Sequence, residues 1–309
     1  MAITAKDVSE LRAKTGVGMM ECKKALEESN GNIDEAVKLL REKGLAVAAK
    51  KADRIAAEGL VDILFDEASK TAAMIEVNIE TDFAAKTENF QTFVKDCLKI
   101  ILKEKPVDVA KLLATPFNSE MTVDEMLKEK VHSIGENISI RRFVIVKGIL
   151  STYIHNKGTI GVVVKVDADA NVAADGGFAE FTKNLALQIA SMSPAYISKE
   201  DVPASVIAEE REIMTNQIKN DEAHSKKPAN VIEKMVEGKV GKYYITNCLL
   251  EQDYVKEDKM SVNGYIANYN KQVGGEVKVS AFYRFEKGEG IQKKEENLAD
   301  EIAKLTGQK

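Results

Sequence analysis

The sequence predicts an α+β protein with a small N-terminal three-helix module, two core subdomains each built from a hairpin plus a helix, a helical coiled-coil arm and a C-terminal helix. Three observations carry that reading. Apolar residues recur at helical spacing through residues 4–43 and give way to strand-like runs from Gly59. A hairpin-then-helix pattern occurs twice: the stripe Phe90, Phe93, Cys97, Leu98, Ile101 returns as Phe178, Phe181, Leu185, Ala186, Ile189 at a constant offset of 88. Between 201 and 245, two charged helical stretches with narrow apolar seams flank Lys226-Lys227-Pro228.

In the first module Val8 and Leu11, then Cys22, Ala25 and Leu26, then Ile33, Ala36, Val37 and Leu40 mark three helices. Gly16 and Gly18 separate the first two, Gly31 ends the second, and Asn32 with Glu35 resembles a capping box for the third. Gly44 is expected to close that helix, leaving Ala46 to Ala57 as a linker. The first core subdomain starts with strands Leu60–Phe65 and Thr71–Ile79, followed by a helix capped by Thr87 and ended by Pro106. A further helix starts at the Thr122-x-x-Glu125 box and stops at Gly135, after which Ile138, Ile140, Val144 and Val146 alternate as a strand. Gly158 lies in the turn of the second hairpin, before Ile160–Val166. The arm carries seams at Val206, Ile213, Met214 and at Ile232, Met235, Val236, Tyr243. Met260–Val273 reads as a helix, Glu276–Phe285 as a strand and Asn297–Leu305 as the last helix. The divisions are 1–54, 55–149, 150–200, 201–245, 246–287 and 288–309.

Length and composition bound the function. At 309 residues and 44% hydrophobic content the chain can bury two or three cores. It has no apolar run of about 18 residues and no signal-like start, so a cytoplasmic location is expected and a membrane is not. Forty-four basic against 49 acidic residues, with basic runs no longer than pairs, argue against direct nucleic-acid binding. Cys22, Cys97 and Cys248 form no Cys-x-x-Cys pair and read as reduced, buried hydrophobes. His132, His155 and His224 have no metal-ligand spacing; Gly16-Val17-Gly18 follows a helix and lacks a third glycine; Gly241-Lys242 is no phosphate loop. No catalytic residue, metal site or cofactor is indicated.

The segment Val77-Asn78-Ile79-Glu80-Thr81-Asp82-Phe83-Ala84-Ala85-Lys86 resembles a signature of the elongation factor Ts family. Thr15-Gly16-Val17-Gly18-Met19-Met20-Glu21-Cys22-Lys23-Lys24-Ala25-Leu26, Ile134–Arg142 and Phe282–Gly290 resemble further family blocks in the same order. The resemblance implies a UBA-like first module and a guanine-nucleotide exchange factor of translation elongation. Such a protein binds elongation factor Tu with GDP, promotes release of GDP and Mg²⁺ and allows GTP to rebind. It also implies that Thr81, Asp82, Phe83 and Ala84 act beside the partner's phosphate and magnesium site, with Met19, Met20 and His155 as further contacts.

The residues by themselves leave alternatives. Phe83 follows a strand and fits a core aromatic, yet the neighbouring apolar stripe is complete without it and the second copy carries Ala170-Asn171 at its offset. Met19 and Met20 could fill core gaps, although neighbours on a helix diverge by about 100° and one must face outward. His155 fits a solvated turn equally well. An RNA-binding translation protein and an enzyme without familiar motifs are the rival classes, and the arm also offers a surface for self-association.

Overall fold

The computed structural model describes residues 3–221, 223 and 227–292. It opens with α1 (Ala5–Thr15), α2 (Met19–Glu28) and α3 (Ile33–Lys51). Thr4 and Asp7 form a reciprocal capping box on α1, Gly16 closes it in the left-handed region, and the Asn32 side chain accepts from the amides of Asp34 and Glu35. Leu11, Cys22, Ala25, Leu26, Ala36 and Leu40 make a small core. Contrary to the sequence expectation, α3 does not stop at Gly44. Residues 45–51 are mostly good helix formers, and Gly44 marks a crossing instead of an end: a Cβ there would lie 3.1 Å from His132 Nδ1. The first part of the expected linker is therefore helix.

β1 (Glu58–Asp66) and β2 (Thr71–Ile79) form the predicted hairpin. A short helix, α4 (Asp82–Ala85), turns the chain into α5 (Glu88–Glu104), whose first turn is capped by the Thr87 hydroxyl and whose end is set by Lys105 at φ 49 ahead of Pro106. After α6 (Val109–Ala114), which the sequence reading does not place, comes α7 (Val123–Ile134), with the predicted Thr122–Glu125 box and Gly135 stop. β3 (Ile138–Lys147) pairs with β2, giving the order β1-β2-β3. The strand that opens the second hairpin, 149–155, is one the sequence reading does not place. Gly148 adopts φ 143, a region open to glycine, so β3 stays in the first sheet and β4 (Ile149–His155) begins a second.

That second sheet, β4-β5-β6, contains β5 (Ile160–Ala168) and β6 (Val277–Glu286). Between them lie α8 (Ala170–Ala173), α9 (Phe178–Met192), the arm helices α10 (Ala204–Asn220) and α11 (Ala229–Asn247), and α12 (Val262–Val273). The duplication extends beyond the stripe seen in the sequence. α4 and α8 also begin 88 residues apart, and the caps of α7 and α12, Thr122 with Gly135 and Ser261 with Gly274, repeat at an offset of 139. The offset grows because the second copy contains the arm. The arm's seam is Ile207, Met214 and Ile218 against Ile232, Met235, Val236, Val240 and Tyr244; Ile213 instead faces solvent, Ile207 replaces the expected Val206, and Tyr244 replaces the expected Tyr243. The predicted last helix, 297–305, lies outside the described residues.

Each sheet carries its helices on one face and meets the other sheet with the opposite face. α5 and α7 cover Ile75, Val77 and Ile79, while α9 and α12 cover Val162, Val164 and Val166. Between the sheets Val61, Ala72, Met74 and Val146 meet Val163 and Phe285. The sheets approach closely at Gly161, where a Cβ would lie 2.5 Å from Val61 Cγ1. β2 is buried along its whole length, and this includes Glu76, which has no exposure. Its carboxylate accepts from Arg141 Nη1 at 3.0 Å, Arg142 Nε at 2.6 Å and the Gly288 amide at 2.8 Å, so groups from β3 and from the end of β6 meet on it. Arg142 also stacks over Phe285, 4.2 Å from the ring centroid. The three cysteines are free and buried, and burial pushes the Cys97 thiol up to about 12.

Removing one member of a buried ion network leaves the other charges stranded. Glu76→Ala is therefore expected to lower the urea-unfolding free energy by about 3 kcal/mol, with coincident loss of both sheets by far-UV circular dichroism.

Candidate functional site

The site grows out of the end of β2. Thr81 sits in extended backbone (φ −121°) and its Oγ1 accepts from Ala84 N at 3.2 Å, capping α4. The single turn that follows sorts its side chains by face. Ala84 and Ala85 are buried against the first core, while Phe83 stands 79% exposed, so it is not the core aromatic its place after a strand allows. Lys86 lies one turn on, its Nζ 2.5 Å from Asp82 Oδ2 and 5.5 Å from the Phe83 ring centroid. The Lys86 hydrogen bond, aided by the charges of Lys86 and Lys287, outweighs an opposing desolvation and holds the Asp82 carboxyl below the usual carboxylate range.

Contacts from the loop after α7 fix this turn. Glu136, in the loop between α7 and β3, accepts from the Thr81 amide at 2.9 Å and from its hydroxyl at 2.7 Å. The adjacent Asn137 donates its amide to Glu80 Oε1 at 2.6 Å, and its side chain donates to the carbonyls of Ala52 and Arg54 beyond α3. Glu136 and Asn137 lie in a block quoted above for its resemblance, but their tie to Thr81 and Glu80 spans more than fifty residues and leaves no trace in local spacing.

The other candidates lie elsewhere on the surface. Met19 and Met20 begin α2, and both face outward, 54% and 68% exposed. His155 ends β4, exposed, with Nδ1 2.9 Å from the Tyr153 hydroxyl. The turn after it, Asn156-Lys157-Gly158, has positive φ throughout, and Gly158 lends its carbonyl to the Val61 amide at 2.8 Å. A Cβ at Gly158 would strike Leu60 Cδ1 at 2.0 Å, so the turn is seated on β1. It shares a cleft with Asp82, Ala85, Lys86 and Lys287. The second hairpin's turn and the Thr81–Ala84 turn are thus neighbours, whereas the methionines belong to the three-helix module. That module meets the body through His132 on α7, bonded to Glu21 at 2.9 Å, and Arg41, bonded to Glu120 at 3.0 Å.

Among the described residues no group of three or more His, Cys, Asp or Glu side chains is placed to hold a metal, and no helix is long and apolar enough to cross a membrane. At this site the geometry offers a ligand a hydrogen-bonded turn with an exposed aromatic ring, beside a partly charged cleft. Fold and site together define a duplicated two-sheet α+β protein with a helical module at one end and a helical arm inserted in its second copy. A family model described as Elongation factor TS matches residues 80–289, and the chain belongs to the elongation factor Ts family of protein biosynthesis. It is 47% identical over 304 residues to elongation factor Ts of Clostridioides difficile (strain 630), covering 98% of each chain. It is 45% identical over 314 residues to that of Syntrophotalea carbinolica, covering 99% of this chain and all of the relative. It is also 45% identical over 308 residues to that of Clostridium botulinum (strain Eklund 17B), covering 99% of each.

The Asp82–Lys86 pair forms above the lowered pKa of the carboxyl and opens as pH falls through it. In an NMR pH titration of the free protein, Lys86→Ala is expected to move the Asp82 midpoint upward toward the ordinary carboxylate value; an unchanged midpoint would show that the lysine does not set it.

Proposed function

We propose that this chain is a guanine-nucleotide exchange factor that binds elongation factor Tu with GDP, promotes release of GDP and Mg²⁺ and lets GTP rebind. It acts by protein contact without reaction chemistry, resident cofactor or metal of its own. Thr81, Asp82, Phe83 and Ala84 form the element that disturbs the partner's nucleotide site; Met19, Met20 and His155 add contacts elsewhere. The observation that carries this reading is Phe83, a ring left 79% exposed on a turn whose cap and inner face are fully engaged. The names of the relatives, elongation factor Ts, support the same reading.

The free energies set a division of labour. An exchange factor binds the empty GTPase more tightly than the loaded one, and by linkage the nucleotide weakens its binding equally. A thousandfold faster release needs about 4 kcal/mol of barrier lowering, whereas burying one Phe supplies about 1.5–3 kcal/mol. The ring alone does not suffice. Contacts from the helical module, the second hairpin's turn and the C-terminal region supply the rest, which accounts for a large chain built around so small a tip.

Phe83→Ala is expected to slow GDP release from the complex by one to two decades, about 1.4–3 kcal/mol. The same change should alter the stability of the free protein by less than about 1 kcal/mol, because an exposed ring leaves no cavity. Asp82→Ala acts in the same direction and more weakly. Stopped-flow release of labelled GDP, paired with denaturant unfolding, checks both; a normal release rate from a folded Phe83→Ala protein refutes the role of the ring.

A further inference from the structure

We infer that Glu136 is a positioning residue for Phe83, holding the α4 turn in the geometry that exchange requires; this rests on the exchange reading above. Phe83 sits on a helix of four residues, and the Ala84 and Ala85 methyls that anchor it are small. Such a turn is not stable by itself, since helix nucleation is unfavourable. The Asp82–Lys86 pair is exposed and, as a surface ion pair, adds little. The strong restraint comes from Glu136. Its carboxylate takes both Thr81 donors, at 2.9 and 2.7 Å, while the same Thr81 hydroxyl oxygen accepts from Ala84 N. Charge on Glu136 polarises that hydroxyl and strengthens its acceptance from the helix, so one carboxylate fixes both the start of the turn and its first internal bond.

The anchor is itself held. Gly135 caps α7 in the left-handed region, and Asn137 is tied to Glu80 and to the carbonyls of Ala52 and Arg54. The loop 135–137 therefore joins the end of β2, the start of α4 and the exit of α3. A ring presented on a fixed turn spends none of its docking free energy on ordering that turn. Since affinity comes mainly from the other surfaces, loss of Glu136 should show in the maximal rate of release and hardly in the half-saturating concentration.

The test is release of labelled GDP from elongation factor Tu, titrated with the full chain. Glu136→Ala is expected to lower the maximal rate about tenfold, the scale of a lost hydrogen bond to a charged group, with half-saturation unchanged within about twofold. Glu136→Gln keeps an oxygen for one Thr81 donor and should recover part of the loss. Combined with Phe83→Ala, Glu136→Ala should cost nothing further, because it acts through the ring. In the free protein, amide exchange at Ala84 should rise about tenfold in Glu136→Ala. Should the alanine variant fail to fold, Glu136→Gln carries the test with an expected loss of about threefold. Additive losses, an equal fall in affinity and rate, or an unchanged maximal rate with Phe83→Ala impaired would overturn the role of Glu136. Unimpaired exchange by Phe83→Ala would instead refute the role of the ring, and with it that of Glu136, while failure of the unmodified chain to speed GDP release would sink the exchange reading beneath both.

Discussion

The carboxylate of Glu76 constrains how the two halves of this chain sit together. It lies on the inner face of a strand buried along its whole length, where an uncompensated charge would be prohibitive. Compensation comes from three places at once: Arg141 and Arg142 on the neighbouring strand, Asn78 on its own, and the Gly288 amide at the end of the second sheet's last strand. Arg142 extends the chain of contacts to Glu289 and the Phe285 ring. Apolar packing between sheets is tolerant of small slides, but a carboxylate with directed donors is not. The polar end of the sandwich therefore fixes the register of the two copies, and the apolar end, around Val61, Met74 and Val163, supplies most of the burial.

From that fixed frame the geometry passes outward to the surface. β2 runs from the buried carboxylate to Ile79 and delivers Glu80 and Thr81 to the loop after α7, which in turn leads into the strand carrying Arg141 and Arg142. The turn bearing Phe83 and the clamp between the sheets thus share both of their supporting strands. A ring that must enter another protein is best carried on such a frame, because misplacement by about 1 Å is enough to forfeit much of a rate effect.

What could be read in the sequence was whatever local chemistry decides. Thr87, Thr122 and Gly135 announce helix ends because caps act within a few residues. The outward stance of Phe83 was foreshadowed by a stripe complete without it. Where a distant partner decides, the sequence was silent or misleading. Gly44 looks like a terminator, yet it is small because His132 passes over it. Gly148 looks like any strand glycine, yet it sends one run of residues into two sheets. The arm's seam was misplaced at three positions, since Val206, Ile213 and Tyr243 are as apolar as the neighbours that do face inward. Glu136 stood in a block of family resemblance, but nothing in its local spacing tied it to Thr81 until the fold brings the two together.

The arm leaves and rejoins the body at one point. Ala195 and Tyr196 donate to the Asn247 carbonyl, and Leu249 and Leu250 donate back to Tyr196 and Ile197, so the strands of chain entering and leaving it are stitched side by side. For the body, everything between those stitches is a closed loop whose ends are already together. The entropy of closing such a loop grows only with the logarithm of its length, about 0.6 kcal/mol for each doubling. The sandwich is therefore nearly indifferent to how far the arm extends, and its length and surface are free to diverge among chains of this architecture while the sheets beneath keep the same register.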